Sequence, residues 1–241
     1  PNIDFPQHLN LFYTGIRGIE GSLKTFFLHE NVWNHKQAYM NRTNILETIS
    51  TLGGSGLSIR QLDFVLPKKD VYVRHFTFKN LSDRPQNISF VVYSDFMIDE
   101  KRRYQTVMFE EDTDSFTHYH REYGFAVGST HNVKKFQCGA TFKELNDGIL
   151  RGKRIANKSS CGIEYDPLSL DPNEEKSITL YIAAGNGSQG AIDILKDVKE
   201  IPFDEHFKET LNYWYEYLDQ AKPVEIKDER TKKIYERSLL M

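Results

Sequence analysis

The chain has 241 residues, of which 39% are hydrophobic and 27% charged, and its formal net charge is −3. This length suits one large all-β domain or two small ones, and the composition excludes a disordered or low-complexity protein. The near-neutral charge, and the lack of an apolar run near the ~20 residues of a membrane span, predict neither a nucleic-acid nor a membrane partner. Two cysteines, Cys138 and Cys161, fit a reducing compartment or one optional bridge. A cytoplasmic location is therefore expected, and export of a parent protein stays open.

The first three quarters of the chain predict β-strands separated by turns. Residues 71–79 carry valines on one parity and phenylalanines on the other, which predicts either a bulge or a strand covered on both faces. Residues 86–98 alternate, with Ser94 as the exception on an apolar face, and residues 177–184 alternate more strictly. Shorter candidate strands lie between them, at residues 105–109, 116–121, 123–129 and 134–141. Many strands, frequent turns and little helix predict an all-β fold, a large antiparallel sandwich.

After residue 187 the pattern becomes helical. Residues 189–199 predict a short helix, and residues 203–221 predict a longer amphipathic one. The apolar stripe of the longer helix recurs at i, i+4, i+7 and i+11, at Phe207, Leu211, Trp214 and Leu218. These two helices are expected to link the sandwich to whatever follows.

The end of the sequence is apolar. Asp228 suits the N-cap of a last helix, which closes on Leu239, Leu240 and Met241 without a Gly, Asn or Pro to end it. Because such side chains need something to bury against, the pattern favours a piece of a longer chain. We expect this end to be poorly covered within the chain, or to pack on a neighbouring molecule. The predicted organisation is a β-sandwich over residues 1–187, a helical linker over 188–227, and the start of a truncated further domain over 228–241.

Two histidines are the clearest candidates for a site. His118 and His120 lie on one face of a predicted strand, because side chains alternate with period two. Two histidines at this spacing could hold a metal, but no third ligand with a recognisable spacing accompanies them. They could instead form a polar face that binds sugar, or be hydrogen-bonded histidines of a half-buried strand. The last alternative is the most common in proteins.

Charged residues cluster at two strand ends. Acidic residues at 110–114 suggest the paired carboxylates of a glycosidase, but acids at strand ends are typical of solvated turns. A second run forms a candidate loop for contact with a neighbouring domain: Asp99, Glu100, Lys101, Arg102, Arg103 and Tyr104. A solvated charged loop is the alternative there. The residues alone therefore indicate no catalytic, cofactor-binding or metal site.

Several short motifs follow one another in a characteristic order along the whole chain. They include Phe5-Pro6-Gln7-His8-Leu9, Val73-Arg74-His75-Phe76, His118-Tyr119-His120-Arg121, Asp147-Gly148-Ile149-Leu150 and Arg237-Ser238-Leu239-Leu240. In this order they resemble the N-terminal domain of prokaryotic glucoamylases and glucodextranases, glycoside hydrolase family 15. Each motif alone is weakly specific; their order, and the Arg237-Ser238-Leu239-Leu240 ending, are more so.

The resemblance implies a super-sandwich of the galactose-mutarotase-like kind, packed beside an (α/α)₆ catalytic barrel that would begin near Met241. In that family the barrel hydrolyses α-glucosidic bonds with inversion, and both catalytic glutamates belong to it. The resemblance therefore implies no catalytic residue, cofactor or metal here. The implied partners are the chain's own C-terminal catalytic domain and the α-glucan substrate of the parent enzyme, with the loop at residues 99–104 reaching toward the barrel. An oligomer stays open.

Two other functions fit the same sequence. One is the N-terminal sandwich of a disaccharide phosphorylase, which has the same architecture. The other is a free-standing carbohydrate-binding or mutarotase-like module, which would need an exposed aromatic platform or an acid–base pair on a concave sheet. For that module, the face of His118 and His120 is the candidate.

Overall fold

The computed structural model describes residues 9–98, 105–157, 160–221, 224 and 226–240, with backbone only for Leu9 and Glu20. The strands are β1 Leu9–Arg17, β2 Phe26–Phe27, β3 Trp33–Tyr39, β4 Leu46–Leu52, β5 Leu57–Val65, β6 Val71–Asn80, β7 Gln86–Phe96, β8 Thr106–Glu110, β9 Ser115–His120, β10 Tyr123–Ser129, β11 Val133–Cys138, β12 Ile155–Ala156, β13 Ser160–Tyr165, β14 Leu168–Leu170 and β15 Glu175–Asn186. The helices are α1 Phe142–Asp147, α2 Gly187–Lys199, α3 Phe203–Asp219 and α4 Glu229–Leu239.

Two antiparallel sheets face each other. The larger has nine strands in the order β12-β8-β9-β10-β15-β6-β5-β4-β3, and the smaller has the order β11-β13-β7-β1-β2, with β14 also pairing with β7. Phenylalanines fill much of the space between them: the ring of Phe76 on β6 lies 4.8 Å from that of Phe90 on β7, centroid to centroid. The predicted large antiparallel super-sandwich, followed by C-terminal helices, is confirmed.

Strand β6 is covered on both faces. Its phenylalanines, Phe76 and Phe78, point into the space between the sheets, while Val71 and Val73 belong to a second core on the outer face. The pairing of β6 with β5 and β15 runs without a register shift. Of the two alternatives predicted for residues 71–79, the covered strand is therefore confirmed and the bulge is wrong.

Helices α2 and α3 form the cover of that outer face. Ala191 and Leu195 of α2 are fully buried in the second core, and Phe203 of α3 packs against it. Two glycines let α2 approach the sheet closely. A Cβ at Gly124 would lie 2.0 Å from the carbonyl oxygen of Gly187, and one at Gly185 would lie 2.4 Å from the backbone of Ala191. Much of the segment predicted as a linker thus packs on the sandwich, while the three-part division itself stays a prediction.

Helix α4 begins at its predicted N-cap, where the Asp228 carboxylate accepts a hydrogen bond from the backbone N–H of Thr231. None of its own residues is buried, and Ile234 is 61% exposed. The next residue, Leu240, is only 7% exposed and lines a pocket with Met40. The expectation of a poorly covered end is wrong for Leu240, and Met241 lies outside the described residues. None of the helices in the described part of the chain is long and apolar enough to cross a membrane.

Candidate functional site

The two histidines predicted as a site occupy different environments. His118 is 1% exposed and lies between the sheets, where its Nε2 is 2.9 Å from the Ser94 hydroxyl and 3.6 Å from Sγ of Cys161. Ser94, the exception on the apolar face of β7, is thus a partner for this imidazole. His120, two residues along the same strand, is half-buried. His118 matches the alternative of a hydrogen-bonded histidine in the interior, because its ring offers no surface to a sugar. No group of three or more potential metal ligands occurs among the described residues.

The two cysteines lie directly opposite each other on β11 and β13, and both are free thiols. The N–H of Gly139 donates to the carbonyl of Ser160 at 2.8 Å, which makes Cys138 and Cys161 a non-hydrogen-bonded pair, the closer kind in an antiparallel ladder. Burial raises the pKa of Cys138 to about 12 and raises that of Cys161 as well. Both thiols are therefore protonated at neutral pH, which is the less reactive form of cysteine.

Of the two charged clusters, only the acidic one at residues 110–114 lies among the described residues. The candidate interdomain loop at residues 99–104 lies outside the described residues. The acidic cluster at 110–114 shapes a hairpin: Glu111 pairs with Arg154 at 3.0 Å, and the Asp114 carboxylate accepts a 2.5 Å hydrogen bond from the N–H of Val133. These two carboxylates have local structural partners, so they are not arranged as a catalytic pair.

A groove of about 360 Å³ opens between β1 and the strands β3 to β6. We call it the polar groove, because most of the side chains that line it carry hydrogen-bonding groups. It is lined by Phe12, Tyr13, Thr14, Leu28, His29, His35, Gln37, Thr48, Ser50, Gln61 and Arg74. These residues come from five strands and one loop, so they come together through the register of β3 to β6 and the packing of the two sheets.

The floor of the polar groove is a set of polar pairs across neighbouring strands. His35 on β3 lies opposite Ser50 on β4, and its Nδ1 is 2.8 Å from the Ser50 hydroxyl. Gln37 lies opposite Thr48 and donates to its hydroxyl at 2.9 Å. Thr48 in turn lies opposite Gln61 on β5, which carries the row into the interior of the sandwich. Because side chains two apart share a face of a strand, these groups all point into the groove.

The charges at the inner end of the groove neutralise each other. The Asp63 carboxylate, buried next to Gln61, accepts hydrogen bonds from Arg74 at 2.9 Å, from Tyr72 at 3.0 Å and from Gln61 at 2.5 Å. Burial raises the pKa of Tyr72, so its hydroxyl stays protonated and donating. Arg74 also lies 5.4 Å from the ring centroid of Phe12, which forms the apolar wall. The groove is therefore polar without a net charge from this pair.

Sequence reasoning missed the polar groove. Its one visible signal is in β5, where Gln61 and Asp63 follow Ile59 on the parity that faces the interior. Taken strand by strand, such residues look like ordinary solvent-facing positions, and their common location depends on the pairing of four strands and on the packing of β1 from the other sheet. The histidines predicted as a site and the polar groove thus lie in different places.

No family model matches the chain. A protein of Methanocaldococcus jannaschii described as an uncharacterized glycosyl hydrolase is 28% identical over 196 residues, which cover 76% of this chain and 31% of the relative. The chain thus spans about a third of the length of the curated relative that it matches.

Solved structures share the fold at low identity. A bacterial glucoamylase complexed with acarbose superposes with a TM-score of 0.75 at 12% identity, over 97% of this chain and 35% of that chain. A protein described as "Putative kojibiose phosphorylase from human microbiome" superposes with a TM-score of 0.59 at 13% identity, over 85% of this chain and 27% of that chain. The chain therefore has a glycoside-hydrolase-like sandwich fold. The comparisons do not single out glucoamylases over phosphorylases.

Proposed function

We propose that this chain is the non-catalytic N-terminal domain of a glucoamylase-type glycoside hydrolase, which hydrolyses the α-glucosidic bonds of starch and maltooligosaccharides with inversion. The observation that carries the proposal is the superposition of nearly the whole chain on about a third of a bacterial glucoamylase. An inverting hydrolase needs two carboxyl groups far enough apart to hold a water molecule between the sugar and the base. In this proposal both belong to an (α/α)₆ barrel outside this chain.

The partner in this proposal is that catalytic barrel, and the C-terminal helices offer a surface for it. Helix α3 buries one face on the sandwich and exposes Tyr213 and Tyr217 on another, while α4 exposes Ile234. The rings of Tyr213 and Tyr217 stack with 6.4 Å between centroids. Exposed aromatic side chains that lie together, as these two tyrosines do, are typical of a protein contact. We propose that the barrel packs on these two helices and that the sandwich supports it.

A second function has its own support. The superposition on the phosphorylase-like structure covers 85% of this chain, so the sandwich could equally serve a disaccharide phosphorylase. In that case phosphate, instead of water, attacks the sugar, and a phosphate site takes the place of the catalytic base. The two alternatives thus differ in the chemistry of the catalytic domain. In both of them the present domain has the same supporting role.

The test compares this chain with the full-length product of its gene on maltooligosaccharides, with and without inorganic phosphate. The proposal predicts no product from this chain alone and phosphate-independent release of glucose, with inverted anomeric configuration, from the full-length protein. Phosphate-dependent formation of a sugar 1-phosphate would show that the parent protein is a phosphorylase and not a glucoamylase. Release of glucose by this chain alone would overturn the non-catalytic role.

A further inference from the structure

The interior face of the nine-stranded sheet changes character along its strands. Ile59 of β5 and Phe76 of β6 are fully buried apolar residues of the main core. Further along on the same faces come Gln61, Asp63 and Arg74, all polar. Apolar side chains stabilise a sandwich interior when they are buried, and polar ones do so only when they are also hydrogen-bonded. A polar patch at the inner face of a sheet is the kind of departure from simple patterning that marks binding sites.

The chemistry of the polar groove selects an uncharged ligand. Asp63 and Arg74 are paired with each other, so their charges are not available to hold a separate ion. The side chains that remain are amides, hydroxyls and imidazoles, among them Gln37, Thr48 and His35. An amide or a hydroxyl both donates and accepts hydrogen bonds, which matches the hydroxyl groups of a sugar.

The shape of the polar groove also fits an uncharged sugar. Half-buried Phe12 stands opposite the polar floor, and an aromatic ring gives the C–H face of a pyranose an apolar surface to pack on. The outer rim is accessible, because His35 and Gln37 are exposed on β3, which forms an edge of the sheet. A volume of about 360 Å³ lies within the range of small-molecule sites.

We propose that the polar groove binds a short uncharged oligosaccharide. His35 and Gln37 hydrogen-bond its hydroxyl groups at the exposed end of the floor, and Thr48 and Gln61 do so further in, beside the Asp63–Arg74 pair. Phe12 packs against a sugar ring from the other wall. This inference does not depend on the proposed function, since a sandwich from a hydrolase or a phosphorylase could carry such a site.

The test is calorimetric titration of the purified chain with maltotriose, cellotriose and inorganic phosphate. The double variant His35→Ala/Gln37→Ala removes two exposed rim groups, and Lys36→Ala, between them on the opposite face of β3, is the matched control. We expect at least one of the two saccharides to bind, with a Kd at least tenfold higher in the double variant and unchanged in Lys36→Ala. Phosphate should not bind at this site.

Two features keep the test decisive. If the double variant loses its cooperative thermal transition, Gln37→Leu replaces it, because leucine keeps most of the volume while removing the amide. Failure of both saccharides to bind at millimolar concentration would overturn the proposal. So would equal binding by the wild-type chain and the rim variants, or binding of phosphate alone. None of these outcomes bears on glucose release, which tests the proposed function.

Discussion

The imidazole of His75 lies flat on the phenyl ring of Phe203, with 3.6 Å between ring centroids and 11° between ring planes. His75 belongs to β6 and Phe203 to the first turn of α3, so this stack attaches the helix to the outer face of the large sheet. The edge of the imidazole is held by Thr179, whose hydroxyl is 2.8 Å from Nδ1. The contact explains why α3 behaves as part of the sandwich in this structure.

Replacement of Phe203 by alanine should therefore weaken the attachment of α3. The ring also packs against Phe64 and Phe207, at 6.1 and 5.6 Å between centroids. Since Phe203 is half-buried, we expect Phe203→Ala to lower the free energy of unfolding by about 1–3 kcal/mol, less than for a fully buried phenylalanine. Urea unfolding measures the loss, and Lys208→Ala, an exposed change on the same helix, is the control. Equal midpoints for the two variants would contradict the expectation.

The same histidine should make stability depend on pH. Burial lowers the pKa of His75 from 6.5 to about 4, while nearby Asp204 raises it and Arg60 lowers it by smaller amounts. Between these two pKa values the unfolded chain binds a proton that the folded chain does not, so the free energy of unfolding falls as the pH drops from 6.5 to 4. A pKa difference of about 2.5 corresponds to ~3 kcal/mol, which partial solvent access reduces to about 1–2 kcal/mol.

The measurement compares urea unfolding of the wild-type chain and of His75→Gln between pH 4.5 and 7. Carboxylates contribute to the pH dependence of both proteins, so the difference between the two curves isolates the histidine. We expect the wild-type curve to fall more steeply below pH 6.5. Parallel curves would show that His75 titrates alike in the folded and unfolded chain.

A buried ion pair joins three elements and should be costly to break. Arg17 of β1 donates to the Glu164 carboxylate of β13 and to the backbone carbonyl of Leu145 in α1, and it donates to the Thr25 hydroxyl at 2.8 Å. Removing one partner leaves the other charge buried, which costs about 3–5 kcal/mol. We expect Arg17→Met to lower stability by this amount in urea unfolding.

The control variant removes a second, exposed cation that lies near the same carboxylate. Lys134 lies 3.6 Å from Glu164 but is exposed, so Lys134→Ala should cost less than about 1 kcal/mol. The double variant Arg17→Met/Glu164→Met should be more stable than Arg17→Met alone, because no buried charge is left without a partner. If all three variants unfold at one midpoint, the buried pair is not a determinant of stability.

The fold class could be predicted from the sequence because strand periodicity reports which faces are covered. The change of parity between Val73 and Phe76 is an example, because each face of β6 packs against a separate core. Helix α1 could not be predicted in this way, since it has only six residues and less than two turns. It is held by tertiary contacts, among them the Arg17 hydrogen bond to Leu145 and the left-handed Gly148 that ends it.

The sites were less predictable than the fold. His118 and His120 share a strand face, but the sequence does not show that this face meets Ser94 and Cys161 of the other sheet. The polar groove depends on the exact register of the consecutive strands β3 to β6, as in the pairing of Asp63 with Arg74, and on the packing of β1 from the other sheet against them. Local patterns contain no information on which polar positions of separate strands converge. That information arises only when the sheet is assembled.

The cysteines should react slowly in the folded chain. Thiolate is the reactive form, and burial raises the pKa of both Cys138 and Cys161. We expect iodoacetamide at pH 8 to label the native chain at least tenfold more slowly than the chain in urea, where both thiols should be modified. Mass spectrometry counts the labels. Rapid labelling of one thiol in the native chain would show that its strand opens readily.

The attachment of α4 should depend on one arginine. Arg237 donates to the Thr43 carbonyl at 2.8 Å and to the Asn44 side chain at 2.7 Å, and its guanidinium lies 3.4 Å from the ring centroid of Tyr39. An isolated 11-residue helix without a buried side chain is unstable in water, so these contacts hold it. Charge-assisted hydrogen bonds contribute about 1.5–3 kcal/mol each, enough for more than a tenfold change in the local opening equilibrium.

Hydrogen exchange read by mass spectrometry tests this dependence. In Arg237→Ala, amides of α4 should exchange at least tenfold faster, while those of β6 and β15 keep their protection because the sandwich core is untouched. Arg237→Lys should lie between, since lysine keeps the charge but loses the planar fork that reaches both Thr43 and Asn44. Arg230→Ala, on the same helix, is the matched control and should leave exchange unchanged. Unchanged protection of α4 in Arg237→Ala would mean that Leu240, buried beside Met40, is enough to hold the helix.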